Sequence, residues 1–113
     1  MDETKKIGIA TVEDETENDA LLIFGKPYKF EDHTYTQIDL SGLENLTAED
    51  MIAAEKYLTR TGIYSPIPEM SIQYVCQIAS RVTDQPIEFF QHLPPKEVIK
   101  LKNKVTGFFY GAD

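Results

Sequence analysis

The chain has 113 residues, 42% hydrophobic and 27% charged, which is enough for one domain with a buried core. Its 19 acidic and 11 basic side chains give a net charge of −8. Because an acidic chain repels phosphate, neither nucleic acid nor an anionic membrane is an expected partner. No apolar run approaches the roughly 20 residues that span a bilayer, and the N-terminus lacks a secretory signal's order. The single cysteine, Cys76, cannot form an internal disulfide, which favours a reducing, cytoplasmic setting.

The acidic excess is concentrated at the start of the chain. Residues 1–20 carry seven acids and two lysines, whereas the other 93 residues carry twelve acids and nine bases. Such charge runs are usually solvated, so residues 1–19 are predicted to form an acidic, partly flexible arm and residues 20–113 a single domain. Within the arm, Ile7–Val12 is rich in β-branched side chains and is interpreted as a short edge strand or an ordered arm.

Residues 20–40 have the pattern of a β-hairpin. Two β-prone runs, Leu21–Phe24 and Tyr28–Phe30, flank Pro27, which requires an edge position or a bulge in the strand. A tight turn is predicted at residues 31–33, and the following run alternates polar and apolar side chains as far as Leu40. Two or three strands are marginally stable alone, so the hairpin is expected to pack against helices.

From residue 46 the apolar period changes from two to about 3.6, which predicts helices. Thr47 as N-cap, with Asp50 three residues later, predicts a helix at about 48–61 whose core face is Met51, Ala54 and Leu58. A linker with two prolines follows. A second helix is predicted at about 69–83, and its apolar stripe is Ile72, Val75, Cys76, Ala79 and Val82.

Two further helices are predicted at about 86–92 and 95–110. The first presents Phe89 and Phe90, and the apolar stripe of the second is Val98, Leu101, Val105, Phe108 and Phe109. The predicted fold class is therefore α+β: an N-terminal β-hairpin of two to three strands followed by about four short α-helices.

The sequence contains no recognisable catalytic or metal-binding arrangement. His33 and His92 have no cysteine or acid at ligand spacing, and the scattered glycines form no phosphate-binding loop. Cys76 lies inside the apolar stripe of the second helix, so it is interpreted as a core residue rather than a nucleophile. We therefore predict no enzymatic activity, no catalytic residue, no cofactor and no metal.

The candidate functional surface lies in the last quarter of the chain, where aromatic residues crowd two short helices. An apolar groove for a partner helix is one interpretation of these rings, and ordinary core packing is the other. The lysines of the last helix are interpreted as a solvated helix face or as a docking patch for an acidic partner. The predicted partner-binding residues are Phe89, Phe90, Lys96, Lys100, Lys104, Phe108 and Phe109.

Several segments occur in an order that is similar to one known family. They are the hairpin stretch Lys26–Leu40, the helix start Leu46–Glu55, the helical Ala79–Val82, the segment Pro86–Leu93 and the closing Val105–Phe109 before a glycine. In this order the chain resembles the tail assembly chaperones of tailed phages and prophages over residues 21–111, about four-fifths of its length. The long acidic start and the pair Pro94-Pro95 depart from the family pattern.

This resemblance implies a non-enzymatic factor of virion morphogenesis in the host bacterial cytoplasm. Such proteins coat the helical tape measure protein, keep it soluble until the tail tube polymerises around it, and are then displaced, so the chain would be absent from the mature virion. In many phages a frameshifted longer form recruits the tail tube protein, and this chain, ending at Asp113, would be the short form. The implied partners are tape measure protein helices and, through a longer form, the tail tube protein, with self-association a further expectation.

Two other interpretations stay open at this stage. A small acidic phage inhibitor that mimics the charge of DNA is favoured by the acidic arm and opposed by the nearly neutral remainder of the chain. A structural tail component is the other alternative, and its presence in mature particles would distinguish it from a chaperone.

Overall fold

A computed structural model describes residues 20–111. The acidic arm predicted for residues 1–19, including Ile7–Val12, lies outside the described residues. The described part is α+β, as predicted: a two-stranded antiparallel sheet is followed by four α-helices and two short 3-10 helices. The strands are β1 (Leu21–Phe30) and β2 (His33–Asp39), and the α-helices are α1 (Ala48–Arg60), α2 (Ile72–Val82), α3 (Ile87–Gln91) and α4 (Pro95–Tyr110). The 3-10 helices are Ser41–Asn45 and Pro68–Met70.

The hairpin has the bulge that Pro27 requires. Leu21 lies opposite Asp39 and Phe30 opposite His33, but the register is irregular between Ile23 and Tyr28. Proline has no amide hydrogen to donate, so pairing is interrupted around it. At the turn, Glu31 and Asp32 both have positive φ angles, 51° and 54°, as a two-residue turn between twisted antiparallel strands demands.

The first long helix is capped as its sequence predicts. The backbone N–H of Thr47 donates to Asp50 Oδ2 at 3.0 Å, which is the reciprocal bond of a capping box. The other carboxylate oxygen of Asp50 lies 2.8 Å from Arg81 Nη2, so the same side chain ties α1 to α2. Gly62, with φ of +81°, follows the end of α1 in the left-handed conformation that favours glycine.

Helix α2 lies at the centre of the core, because it packs against α1, α3 and α4. Three members of its predicted stripe, Val75, Cys76 and Ala79, are fully buried. Tyr74 and Ile78 are also fully buried although the predicted stripe omitted them. A helix enclosed by three others buries a wider arc than a surface helix, so its apolar stripe underestimates its buried face.

The ends of α2 differ from the predicted ones. The helix begins at Ile72 rather than near residue 69, because Pro68–Met70 forms a separate 3-10 turn and Ser71 has extended backbone. Ile72, at the first position, is 37% exposed, so this residue of the predicted stripe is outside the core. None of the helices within residues 20–111 is both long enough and apolar enough to cross a membrane.

Candidate protein-interaction surface

Phe89 and Phe90 belong to the core and not to an exposed groove. Both are 0% exposed. The Phe89 ring makes edge-on contacts with Tyr28, Phe30 and Tyr35 at centroid distances of 5.0, 5.2 and 4.9 Å, and with Phe90 at 4.9 Å. That these two rings bind a partner stays a prediction, but in this structure neither ring is accessible to one. Helix α3 is inserted between the hairpin and α2, and rings from both strands cover it.

A hydrogen bond reinforces this packing of the hairpin on α3. The Tyr28 hydroxyl donates to the Phe89 carbonyl at 2.7 Å in a buried position. Burial raises the pKa of Tyr28 above its ordinary value, so the hydroxyl keeps its proton and remains a donor. The aromatic residues at this end of the molecule are thus engaged with one another and with the backbone.

The two rings at the end of α4 are placed differently. Leu101 and Val105 are fully buried, and Phe108 continues their face of the helix at the next turn. Phe108 is nevertheless 45% exposed, so the cover over Leu101 and Val105 does not continue over this ring. Phe109 is half-buried, with its ring edge-on to Tyr74 at 6.5 Å.

The predicted lysines lie on one side of α4. Lys96, Lys100 and Lys104 are spaced by four residues, so they follow one another along the helix. Lys100 Nζ donates a hydrogen bond to the Ile23 carbonyl at 2.9 Å, so this side faces β1. The structure therefore places the three lysines on one side of a single helix, whereas Phe89 is buried under the rings of the hairpin.

A buried carboxylate that sequence reasoning missed joins α4 to the bulge in β1. Glu97, only 7% exposed, accepts a hydrogen bond from the Gly25 amide at 2.8 Å, and its other oxygen lies 3.0 Å from Lys100 Nζ. Burial alone would raise the pKa of Glu97, but the Gly25 bond and the lysines Lys100 and Lys96 outweigh it and lower the pKa. Pro27 predicts a bulge, but nothing in the local sequence indicates which distant side chain binds its free amide.

Exposed apolar side chains are concentrated in two short segments. Seven of the ten exposed large apolar or aromatic side chains among the described residues lie in segments 63–72 and 108–110. The Tyr110 hydroxyl donates to the Glu69 carboxylate, so the last turn of α4 lies against the 3-10 helix Pro68–Met70. We call this combined surface the open end; its members are Ile63, Tyr64, Ile67, Met70, Ile72, Phe108 and Tyr110. The sequence predicts only a linker at residues 63–68, although its apolar side chains beside Pro66 and Pro68 were a signal of this surface.

A buried hydroxyl beneath the open end has no partner among residues 20–111. Tyr74 is fully buried, and its Oη makes no hydrogen bond to any of these residues. Burial, together with the negative charges of Glu55 and Glu69 and the neighbouring Tyr110, raises the pKa of Tyr74 to about 12. The Tyr28 hydroxyl at the hairpin, in contrast, has a backbone acceptor.

Two depressions in the surface of the described residues both lie away from the open end. One depression, of about 460 Å³, is lined only by α1 residues between Ile52 and Arg60, and one helix face cannot enclose a small molecule. A second, of about 410 Å³, lies between the end of β2 and the end of α2. Within residues 20–111 no group of three or more His, Cys, Asp and Glu side chains could hold a metal ion.

Comparisons of the chain with protein-family models, with curated proteins and with solved structures give no match. The features that bear on function are therefore the open end, its chemistry and the order of the sequence segments.

Proposed function

We propose that this chain is a phage tail assembly chaperone, which binds apolar helical segments of a tape measure protein and keeps them soluble until the tail tube polymerises around them. The resemblance of residues 21–111 to that family is one support. A second is that the described elements, a hairpin and then four helices, follow the order in which the similar segments occur.

The open end is the observation on which the proposal depends most. Isolated exposed apolar residues are ordinary, but seven of them on two neighbouring segments, with aromatic rings and a methionine among them, are typical of a protein-binding surface. Tyr64, Ile67 and Tyr110 are 88%, 53% and 59% exposed. An amphipathic helix presents apolar side chains at i, i+3, i+4 and i+7, and the exposed groups of the open end can contact such a stripe.

The shape of this surface supports reversible binding. A chaperone that is later displaced by tube subunits needs a partner site from which a helix can dissociate. The open end is formed by the surface of two segments and not by a closed cavity, and Glu69 and the Tyr110 hydroxyl add polar groups to it. We therefore place the tape measure helix here, and not on the buried rings of α3.

The remaining parts of the proposal follow from this role. The protein would act in the host bacterial cytoplasm, catalyse no reaction and leave before the virion is complete. A longer form of the chain would recruit the tail tube protein while the open end holds the tape measure helix. Self-association would compete for the same exposed rings.

Co-expression with a tape measure protein tests the proposal. We expect the wild-type chain to increase the soluble fraction of the partner, and the double variant Met70→Ser/Phe108→Ser to lose most of this effect. A matched control is Ile52→Ser, because Ile52 on α1 is 49% exposed, close to the 42% and 45% of the two test residues. Each anchor removed from a helix-binding surface costs on the order of 1–3 kcal/mol in binding, whereas the control should bind normally.

The possible outcomes distinguish an error in the proposed site from an error in the proposed function. If the double variant is folded by circular dichroism and still solubilises the partner fully, the open end is not the site. If the wild-type chain leaves the partner insoluble, the chaperone proposal is wrong. Finding the chain in purified virions would favour a structural tail component instead.

A further inference from the structure

The two segments of the open end contain a single charged side chain. Glu69 is the only acid in residues 63–72 and 108–110, and these segments contain no base. Its carboxylate accepts a hydrogen bond from the Tyr110 hydroxyl but forms no ion pair with any residue from 20 to 111. The Tyr110 bond lowers the pKa of Glu69, so the carboxylate is ionised at neutral pH. Because the hydroxyl is neutral, this negative charge is left without a compensating cation.

The 3-10 helix Pro68–Met70 fixes the position of this charge. The Met70 amide donates to the Ile67 carbonyl at 3.0 Å, and the Ser71 amide donates to the Pro68 carbonyl at 2.9 Å, so the turn that carries Glu69 is closed by two hydrogen bonds. Ile67 and Met70, on either side of it in sequence, are exposed apolar side chains. Glu69 itself is half-buried, and the interactions of a half-buried charge are screened less by salt than those of a fully exposed one.

A second acceptor lies beneath the same point. Tyr74 is fully buried with its ring edge-on to Phe109, and its Oη has no partner among residues 20–111. Burial is the main cause of its raised pKa, but the charges of Glu55 and Glu69 and the Tyr110 hydroxyl contribute, so Oη lies within reach of these groups. A lysine ammonium has three N–H donors and no acceptor, so one such group can serve a carboxylate and a hydroxyl oxygen together.

We propose that the helix held by the open end carries a lysine or arginine beside its apolar stripe, and that this cation binds Glu69, displaces the Tyr110 side chain and donates to Tyr74 Oη. The inference rests on the proposed function, because it names the chemistry of the partner at the same site. Charge complementarity favours this occupant, since the two segments have one acid and no base, and the chain's net charge of −8 attracts basic segments at longer range. A helix with acids beside its stripe is repelled, so the site selects among apolar helices.

Two synthetic peptides test the inference with the full chain. Each is an amphipathic helix of about 15 residues, with leucine at i, i+3, i+4 and i+7, a length at which an isolated helix is marginally stable. One peptide has lysine beside the stripe. The other has norleucine there, which keeps the methylene stem but lacks the ammonium group. Titration calorimetry at about 0.15 M salt measures both affinities.

Glu69→Gln is the deciding variant, because glutamine still accepts from the Tyr110 hydroxyl but has no charge. We expect it to weaken binding of the lysine peptide by about 5- to 10-fold and to leave binding of the norleucine peptide within about twofold. Glu49→Gln removes the same charge from an exposed position on α1 and, as the matched control, should change neither affinity. Tyr74→Phe should weaken only the lysine peptide, by about 2- to 5-fold. Normal binding of the norleucine peptide shows that each variant is folded.

The double variant Met70→Ser/Phe108→Ser should weaken both peptides; if it weakens neither, they bind elsewhere and the inference is wrong. Equal losses for the two peptides in Glu69→Gln, or equal losses in Glu69→Gln and Glu49→Gln, would also overturn it. The chaperone proposal would survive that result, because it requires only the exposed apolar groups. If neither peptide binds the wild-type chain, the open end is not a helix site, and the proposed site and this inference are both wrong.

Discussion

Aromatic side chains are packed differently at the two ends of the molecule, the hairpin end, formed by β1, β2 and α3, and the open end. At the hairpin end, rings from β1, β2 and α3 cover one another, and the Tyr28 hydroxyl is bonded to the Phe89 carbonyl. At the open end, Phe108 and Tyr110 are exposed, and the buried Tyr74 hydroxyl makes no hydrogen bond within residues 20–111. Three elements meet at each end, but β1, β2 and α3 enclose Phe89, whereas α2, α4 and the 3-10 helix Pro68–Met70 leave Phe108 and Tyr110 exposed.

This comparison shows that an excess of aromatic residues does not by itself locate a binding surface. The pair Phe89 and Phe90 and the pair Phe108 and Phe109 look alike in sequence, since each is a Phe-Phe pair within a predicted helix. Only the first pair is enclosed by a hairpin. A Phe-Phe pair belongs to the core when other elements pack over it and is available to a partner when they do not. Those elements are distant in sequence.

The largest expected effect is at the hairpin end. Phe89→Ala removes a fully buried ring that contacts four others and should cost about 3–5 kcal/mol, a large part of the stability of about 5–15 kcal/mol typical of a small domain. Phe108→Ala, the matched change at the open end, should cost well under half as much. Urea denaturation followed by circular dichroism measures both. Equal losses would mean that the two ends do not differ in packing.

The second effect concerns the link between α4 and the β1 bulge. Glu97→Ala leaves the Gly25 amide without its acceptor and should cost about 1–3 kcal/mol, whereas Glu97→Gln, which retains an acceptor oxygen, should cost less. Because the folded-state pKa of Glu97 is lowered, its carboxylate stabilises the fold above the unfolded-state pKa. That stabilisation is lost as the pH falls through the folded-state value.

Urea denaturation of wild type and Glu97→Gln across the acid range measures this dependence. The stability difference between the two proteins should be greatest near neutral pH and shrink in acid. Glu49→Gln, at an exposed position on α1, is the control and should leave the pH profile of stability unchanged. A difference that is constant with pH would show that the charge of Glu97 plays no part.

A third prediction tests the centre of the core, at Cys76 on α2. Cys76→Ser buries a hydroxyl in an apolar site and should destabilise the fold by about 1–3 kcal/mol. Burial raises the pKa of the Cys76 thiol from 9.0 to about 11, so the folded state favours the protonated thiol. The resulting stabilisation is complete below pH 9.0 and is lost as the pH rises through about 11.

Thiol labelling gives the simplest measurement. At neutral pH the native chain should react far more slowly than the urea-unfolded chain, and partner solubilisation by folded Cys76→Ser should be normal. Labelling of the native thiol at the unfolded rate would place Cys76 outside the core.

The parts of the fold that local sequence predicted are those that local chemistry determines. Pro27 predicts an edge position or a bulge because it lacks an amide hydrogen, and the register is irregular there. Thr47 and Asp50 predict a helix start, and the apolar period of residues 95–110 matches α4 in both bounds. The candidate site was predicted only in part. The rings of Phe108 and Phe109 lie at or beside the open end, but the exposed linker residues that share it were not identified.

What the sequence could not indicate depends on long-range contacts. The bond between Gly25 and Glu97 joins residues 72 positions apart, and that between Tyr28 and Phe89 joins residues 61 apart. Periodicity describes one helix at a time, so it identifies an apolar face without showing how many neighbours cover it. The full burial of Tyr74 and the exposure of Phe108 depend on which elements pack against them, and the apolar periodicity of the sequence does not contain that information.

The smallest expected effect compares two tyrosine hydroxyls, one from each end. Tyr28→Phe removes the donor to the Phe89 carbonyl and should destabilise the fold by about 1 kcal/mol. Tyr74→Phe removes a buried hydroxyl that has no partner, so it should be neutral or should stabilise by up to about 1 kcal/mol. The two substitutions delete the same atom, so urea denaturation compares them directly. If the Tyr28 hydroxyl has a hydrogen-bond partner and the Tyr74 hydroxyl has none, only Tyr28→Phe should lower the free energy of unfolding. Destabilisation by Tyr74→Phe equal to that by Tyr28→Phe would mean that Tyr74 has a hydrogen-bond partner in solution, and the contrast between the two ends would then rest on exposure alone.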